Sequence, residues 1–201
     1  MLPANEKGGI TISNYQEGNF LIEVIHNNIT KEKVDAIVDA ANNELFIGGG
    51  VSGAIGNAGG KEYRTNLKKY KKETHFSSLP TGKACITGAG GSLQCKYVIH
   101  AVGPTCFQGA TQNDKKMLYS AFKESLRIAD QNKLKSISIP SISSGIFGFP
   151  KDLCATIAMH VMKEYLSSRN ESNTLKIVRF TNFDMATCNL FEKALKNVFS
   201  N

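Results

Sequence analysis

Residues 34–60, VDAIVDAANNELFIGGGVSGAIGNAGG, constrain the fold of this chain more than any other stretch. The segment opens on Ala36-Ile37-Val38, an apolar run that reads as a buried strand, and turns polar at Asn42 and Asn43. Gly48, Gly49 and Gly50 follow, and then small residues that suit a helix start: Val51, Ser52, Gly53, Ala54 and Ile55. Strand, glycine loop and helix in that order present backbone N–H groups to a phosphate. Glycine lets the backbone approach closely and take positive φ. The helix start adds unpaired donors and the positive end of a dipole.

The rest of the chain repeats the strand-and-helix theme. Strands are predicted at residues 20–25, 35–41, 83–87, 97–102, 137–140 and 175–181, with one short strand at 10–13. Helices are predicted at 51–72, interrupted near Gly59-Gly60, and at 117–129, where Leu118, Ala121, Phe122, Leu126 and Ala129 share a face. A third starts after Pro150 and runs to about Leu166, and a last one spans 187–199. Strands alternating with helices imply an α/β fold with a mostly parallel sheet covered on both faces. Residues 1–19 read as an N-terminal extension and 20–201 as a single domain.

Composition narrows the function classes. Lys plus Arg number 24 against 17 Asp plus Glu, a net charge of +7 that favours anionic partners. The run Lys68-Lys69-Tyr70-Lys71-Lys72 reads first as a solvated helix end, where cations suit the dipole. A nucleic-acid binder is the rival, weakened by the lack of interleaved aromatics. No apolar run approaches the roughly 20 residues that cross a bilayer. The start, MLPANEKGG, lacks the apolar core of a secretory signal. The five cysteines, Cys85, Cys95, Cys106, Cys154 and Cys188, are odd in number and have no zinc spacing. No metal or cofactor is expected, and cytosol or nucleus is the expected compartment.

A second small-residue loop, Ser143-Ser144-Gly145-Ile146-Phe147-Gly148, follows the strand at 137–140. Two such loops on adjacent central strands would grip a diphosphate from both sides. Gly48, Gly50 and Gly53 also fit G-x-G-x-x-G, but no acidic residue ending a strand follows at the dinucleotide-fold distance. Asn42 can bond a ribose hydroxyl or form a turn. His100, in mid-strand, reads as a core residue rather than a catalyst. Phe183, at the end of the last strand, can stack on a base or pack in the core. Ser143 and Ser144 lack a nucleophile context.

Taken in order, Ile37-Val38-Asp39-Ala40-Ala41-Asn42, Gly48-Gly49-Gly50-Val51, Leu79-Pro80-Thr81-Gly82, Val98-Ile99-His100-Ala101-Val102-Gly103-Pro104 and the loop at 143–148 resemble macrodomains. The wording is most similar to the macrodomains beside ADP-ribosyltransferase domains in the poly(ADP-ribose) polymerase family. The resemblance implies a three-layer α/β/α sandwich with a mixed, mainly parallel sheet and a cleft for ADP-ribose. It implies that Gly48, Gly49, Gly50 and Val51, with Ser143, Ser144, Gly145, Ile146 and Phe147, cradle the diphosphate. Asn42 would contact the distal ribose with Phe147 packing on it, Phe183 would stack on the adenine, and Ile29 would line the adenine pocket.

Three positions depart from the pattern. Asn28 stands where the family usually has an Asp that reads the adenine amine, so charge assistance is lost. Asp39 replaces the first Asn of V-N-A-A-N. Ser52 stands where hydrolases of the family carry an Asp after the glycines, and a neutral hydroxyl is a poor base. The expected function is therefore a monomeric reader of ADP-ribose, free or on mono-ADP-ribosylated proteins. The alternative is a hydrolase that removes ADP-ribose from proteins, its chemistry carried by Asn42, Gly49 and Phe147.

Overall fold

The structure, a computed structural model, describes residues 9–199, so the first eight residues of the expected extension lie outside it. Twelve elements follow in order. They are β1 (Ile10–Glu17), β2 (Phe20–His26), a 3₁₀ turn (Ile29–Lys31), β3 (Ala36–Ala41), α1 (Gly50–Glu73), β4 (Ala84–Gly88), β5 (Tyr97–Val102), α2 (Gln112–Gln131), β6 (Ser136–Ile139), α3 (Lys151–Ser168), β7 (Ile177–Asn182) and α4 (Met185–Phe199). The seven strands form one sheet in the order β1-β2-β7-β6-β3-β5-β4. From β2 to β5 every neighbouring pair is parallel, and β1 and β4 close the edges antiparallel.

Side-chain alternation on the strands builds two apolar faces. Ala36 and Val38 of β3 and Ile99 and Ala101 of β5 join the core under α2, α3 and α4. Ile37 and Val98 point the other way, into a smaller cluster with Ile55 and Tyr63 of α1. Ala41 and Val102 enter a third cluster on that same side with Leu67. The result is the expected three-layer sandwich.

Two local features differ from the sequence reading. β1 extends past Ser13 to Glu17, because Gly18, at φ 55, turns the chain so that Glu17 pairs with Phe20. α2 begins at Gln112 rather than Met117. A reciprocal cap starts it: Thr111 Oγ1 accepts from Asp114 N (3.1 Å), and Asp114 Oδ2 accepts from Thr111 N (2.9 Å). The interruption expected in α1 near Gly59-Gly60 is present: Gly60, at φ 57 and ψ -143, is not helical, and two helical stretches meet there at a kink.

The central strands carry one buried ion cluster. Arg179 of β7, 3% exposed, lies 2.6 Å from Glu32 and 3.4 Å from Glu23. Asn27 donates to Glu32 Oε1 at 2.6 Å. Burial pushes the Glu32 carboxyl above its usual range, with the Arg179 charge opposing. The cluster ties β2 and β7 to the segment that leads into β3.

Candidate functional site

The first loop leaves the carboxyl end of β3, and Asn42 organises its start. Asn42 Oδ1 accepts from the N–H groups of Glu44 (3.2 Å) and Phe46 (3.0 Å), and its Nδ2 donates to Phe46 O (2.8 Å). The turn-forming role is therefore present in the free protein. Cβ atoms built on Gly48, Gly49 or Gly50 would meet nothing within 4 Å, and Gly50 holds φ +58. Gly53 is needed for another reason: its Cβ would come 2.7 Å from the Gly48 carbonyl oxygen. The glycine spacing that imitates a dinucleotide motif is thus the footprint of a loop lying down on its own helix. The first N–H groups of α1 have no acceptor within the helix.

The second loop leaves β6 and is pinned at its base. Ser141 N donates to Asn182 Oδ1 (3.2 Å), Phe149 N to Ser143 O (3.0 Å), and Cys106 N to Phe147 O (2.6 Å). Ser143 takes φ 64. Its buried hydroxyl packs so close to Gly103 that a Cβ there would lie 2.1 Å from Ser143 Oγ. Ile146 at the loop's crest is 77% exposed.

Between the loops lies a cavity of about 280 Å³. It gathers Asn42, Gly48, Gly49, Gly50, Val51, Ser143, Ser144, Gly145, Ile146, Phe147 and Phe183, each singled out from the sequence. Asn28 and Ile29 do not line it. Ile29 is 5% exposed and packs in the cluster under α1. Asn28 Oδ1, the oxygen assigned to the adenine amine, instead accepts from Thr30 N (3.0 Å) and Thr30 Oγ1 (2.8 Å) and caps the 3₁₀ turn. Phe183 is 78% exposed, so core packing is not its role. Its carbonyl accepts from His26 Nε2 at 3.0 Å, which fixes the backbone beneath the ring.

Sequence reasoning missed Lys151 and Asp184, which also line the cavity and pair at 3.3 Å. Lys151 is the first residue of α3, where the helix dipole disfavours a cation; that misfit was the signal available. Asp184 accepts from Thr187 N (2.8 Å) and caps α4. Burial pushes its carboxyl up, but the Thr187 hydrogen bonds and Lys151 outweigh that and hold it below the usual carboxylate range.

Beneath the cavity, on the α1 side of the sheet, Asp39 finds its explanation. Asp39 Oδ2 lies 3.1 Å from His100 Nδ1, and His100 Nε2 lies 2.8 Å from Thr87 Oγ1. Ser52 Oγ, at the cavity wall, donates to the same Asp39 oxygen at 3.4 Å. His100 is 1% exposed, a core residue as expected. A larger hollow of about 370 Å³ lies between α2 and α3, walled by their C-terminal halves and by Ser172 and Asn173 of the loop after α3, and neither small-residue loop lines it. Among the described residues no helix is long and apolar enough to cross a membrane, and no cluster of His, Cys, Asp and Glu is suited to a metal ion.

Comparison with known proteins agrees with this geometry. The family model described as Macro domain matches residues 38–158. A macro domain-containing protein of Caldanaerobacter subterraneus is 44% identical over 177 residues, covering 88% of this chain and 97% of that protein. A protein of Pantoea vagans named O-acetyl-ADP-ribose deacetylase 1 is 40% identical over 174 residues, covering 87% and 98% respectively. Among solved structures, a point variant of the Oceanobacillus iheyensis macrodomain with ADPR superposes with a TM-score of 0.86 at 30% identity, covering 94% of this chain and 99% of that one. The chain belongs to the Macro domain family.

Proposed function

We propose that this chain binds ADP-ribose, free or as the mono-ADP-ribose of a modified protein, in the cavity between the two loops. The observation that carries the reading is that one cavity joins two main-chain cradles to an exposed aromatic ring. The cradles and the N-terminus of α1 suit a diphosphate, and Phe183 suits a purine. Asn42 and Phe147 are assigned to the distal ribose, and Asn28 and Ile29, which do not line the cavity of the free protein, to the adenine end. The likeness in motif wording to macrodomains beside ADP-ribosyltransferase domains fits a module that reads the product of such an enzyme.

Calorimetry with ADP-ribose tests this. Saturable binding is expected for the wild type. Gly49→Glu puts a carboxylate into the phosphate cradle without steric conflict and should abolish binding while leaving the melting temperature unchanged. A wild type that takes up no heat at high micromolar ligand overturns the reading.

A second reading is favoured by the relatives named as deacetylases: hydrolysis of an acyl or glycosyl bond at the distal ribose of the same ligand. Asn42, Gly49 and Phe147 would position that bond. Nucleic-acid binding through the lysine run is less well supported. Lys71 is engaged with Glu44 O at 2.7 Å and Lys69 with Glu73 at 3.8 Å. The five cysteines carry free thiols, which fits a reducing compartment, cytosol or nucleus, and the chain is expected to act as a monomer.

A further inference from the structure

Asp39 is an unusual group to find between the two apolar clusters under α1. It is 2% exposed, and its Oδ1 is buried with no hydrogen-bond partner among the described residues. A carboxylate in that position costs stability unless it is paired. Its pairing runs in one line: Thr87, His100, Asp39 and Ser52, from the sheet's edge strand to the cavity wall. Ser52 is the member that also lines the cavity, at 7% exposure.

We propose that Asp39, positioned by His100, acts through Ser52 as the proton acceptor for hydrolysis at the distal ribose. The inference rests on the second reading above. A serine hydroxyl alone is a poor base near neutral pH, and the buried carboxylate supplies the missing basicity. In the ester case, water oxygen bonds to the acyl carbon. One water proton passes to Ser52 Oγ as the hydroxyl's own proton moves to Asp39 Oδ2. The bond between acyl carbon and ribose oxygen then breaks, its electron pair stays on the ribose oxygen, and the proton returns by the same path to that oxygen. The products are ADP-ribose and a carboxylic acid, with no further reactant. Asp39 and His100 are positioning residues, and Ser52 is the group that meets the water.

The titratable neighbours facing Asp39 are His100 of β5, Tyr63 of α1 and Cys85 of β4. Burial pushes the Tyr63 hydroxyl up, and the Asp39 charge adds to the shift. Burial also pushes the Cys85 thiol up to about 11; a hydrogen bond from Tyr70 opposes and the Asp39 charge adds. Both stay neutral through an assay between pH 5 and 9.

The test is steady-state hydrolysis of O-acetyl-ADP-ribose across that pH range, with ADP-ribose affinity measured by calorimetry. Asp39→Asn is nearly isosteric and keeps an acceptor for Ser52 and a partner for His100, so folding is preserved. Asp39→Asn and Ser52→Ala should each lower kcat at least about tenfold, with KM and ADP-ribose Kd within about twofold. The double variant should be no worse than either single one. Ser52→Asp placed in the Asp39→Asn background should restore turnover, because it moves the carboxylate to the cavity wall. An Asp39→Asn profile that overlays the wild type overturns the relay, and so does a wild type that binds ADP-ribose without turning over the ester. Absence of ADP-ribose binding by the wild type is a separate result that sinks the proposed function itself.

Discussion

Removing the Phe183 ring separates binding from folding. Phe183 and Asp184 form the whole link between β7 and α4, and the ring is 78% exposed. The backbone under it does not depend on the ring: His26 Nε2 donates to the Phe183 carbonyl at 3.0 Å, and Asp184 caps α4 through Thr187. The ring also belongs to none of the three apolar clusters. Phe183→Ala should therefore alter folding stability by no more than about 0.5 kcal/mol, as for surface sites away from special features. Loss of a base stack costs about 1–3 kcal/mol. At about 1.4 kcal/mol per decade, the Kd for ADP-ribose should rise between about 5-fold and about 150-fold. Phe183→Trp should hold the wild-type affinity. Calorimetry and thermal melts on the same samples read both quantities. A Kd within twofold of wild type at unchanged Tm would refute the stacking role. A Tm drop of more than about 4 °C, the equivalent of roughly 1 kcal/mol or more at this chain length, would show that the ring supports the fold after all.

Three other perturbations have defined outcomes. Gly53→Ala gains helix propensity but sets a methyl 2.7 Å from the Gly48 carbonyl; it should cost about 1–3 kcal/mol and weaken ADP-ribose binding, and a raised melting temperature would contradict the loop-on-helix packing. Arg179→Met leaves Glu23 and Glu32 buried without their cation and should lower stability by about 3–5 kcal/mol in urea titrations at pH 7, narrowing as the carboxyls protonate in acid; an equal loss at pH 7 and pH 4 would argue against charge as the cause. Asp184 has a folded-state pKa below its unfolded value, so its stabilisation is present above that unfolded value and disappears as pH falls through the folded one; from roughly pH 4 downward Asp184→Asn should melt less pH-dependently than wild type, and parallel curves would remove Asp184 from the account.

Most of the cavity lining was legible because small residues and main chain form its walls, and main-chain demands leave a residue signature. Gly48, Gly49 and Gly50 announce a backbone that something must approach, and the run at 143–148 announces another. What stayed hidden was decided by tertiary partners. Asn28 gives no sign in the sequence that its oxygen caps a 3₁₀ turn, which only the position of Thr30 reveals. Asp39 reads as a substitution in a motif until His100, on the neighbouring strand, is seen 3.1 Å away. The early start of α2 was written in Thr111 and Asp114, but hydrophobic periodicity looks for apolar residues and the first turn there is polar. The Gly18-Asn19 hairpin turn was likewise available from local chemistry. It was missed because Tyr15, Gln16 and Glu17 do not alternate cleanly enough to extend the strand.

The cleft's position follows from how β3 and β6 part. They pair only at Ala36 with Ile137 and Ile37 with Ser138, whereas β3 and β5 stay in register over the full length of β3. β6 ends at Ile139, and Pro140 has no N–H with which to continue the ladder. Beyond that point the two chains leave in opposite senses. β3 passes through α1 on one face toward β4, and β6 passes through α3 on the other face toward β7. A sheet that divides this way leaves a crevice at the carboxyl ends of the diverging strands, the place where open α/β sheets hold ligands. The half-buried Ala40 lines this crevice, the glycines of α1 wall one side, and the 143–148 loop walls the other. The same parting aligns Asp39, one residue before Ala40 and therefore on the opposite face, under the first turn of α1. The cavity and the buried carboxylate thus lie on opposite faces of the same end of β3. A change that extends the β3–β6 ladder should disturb both together.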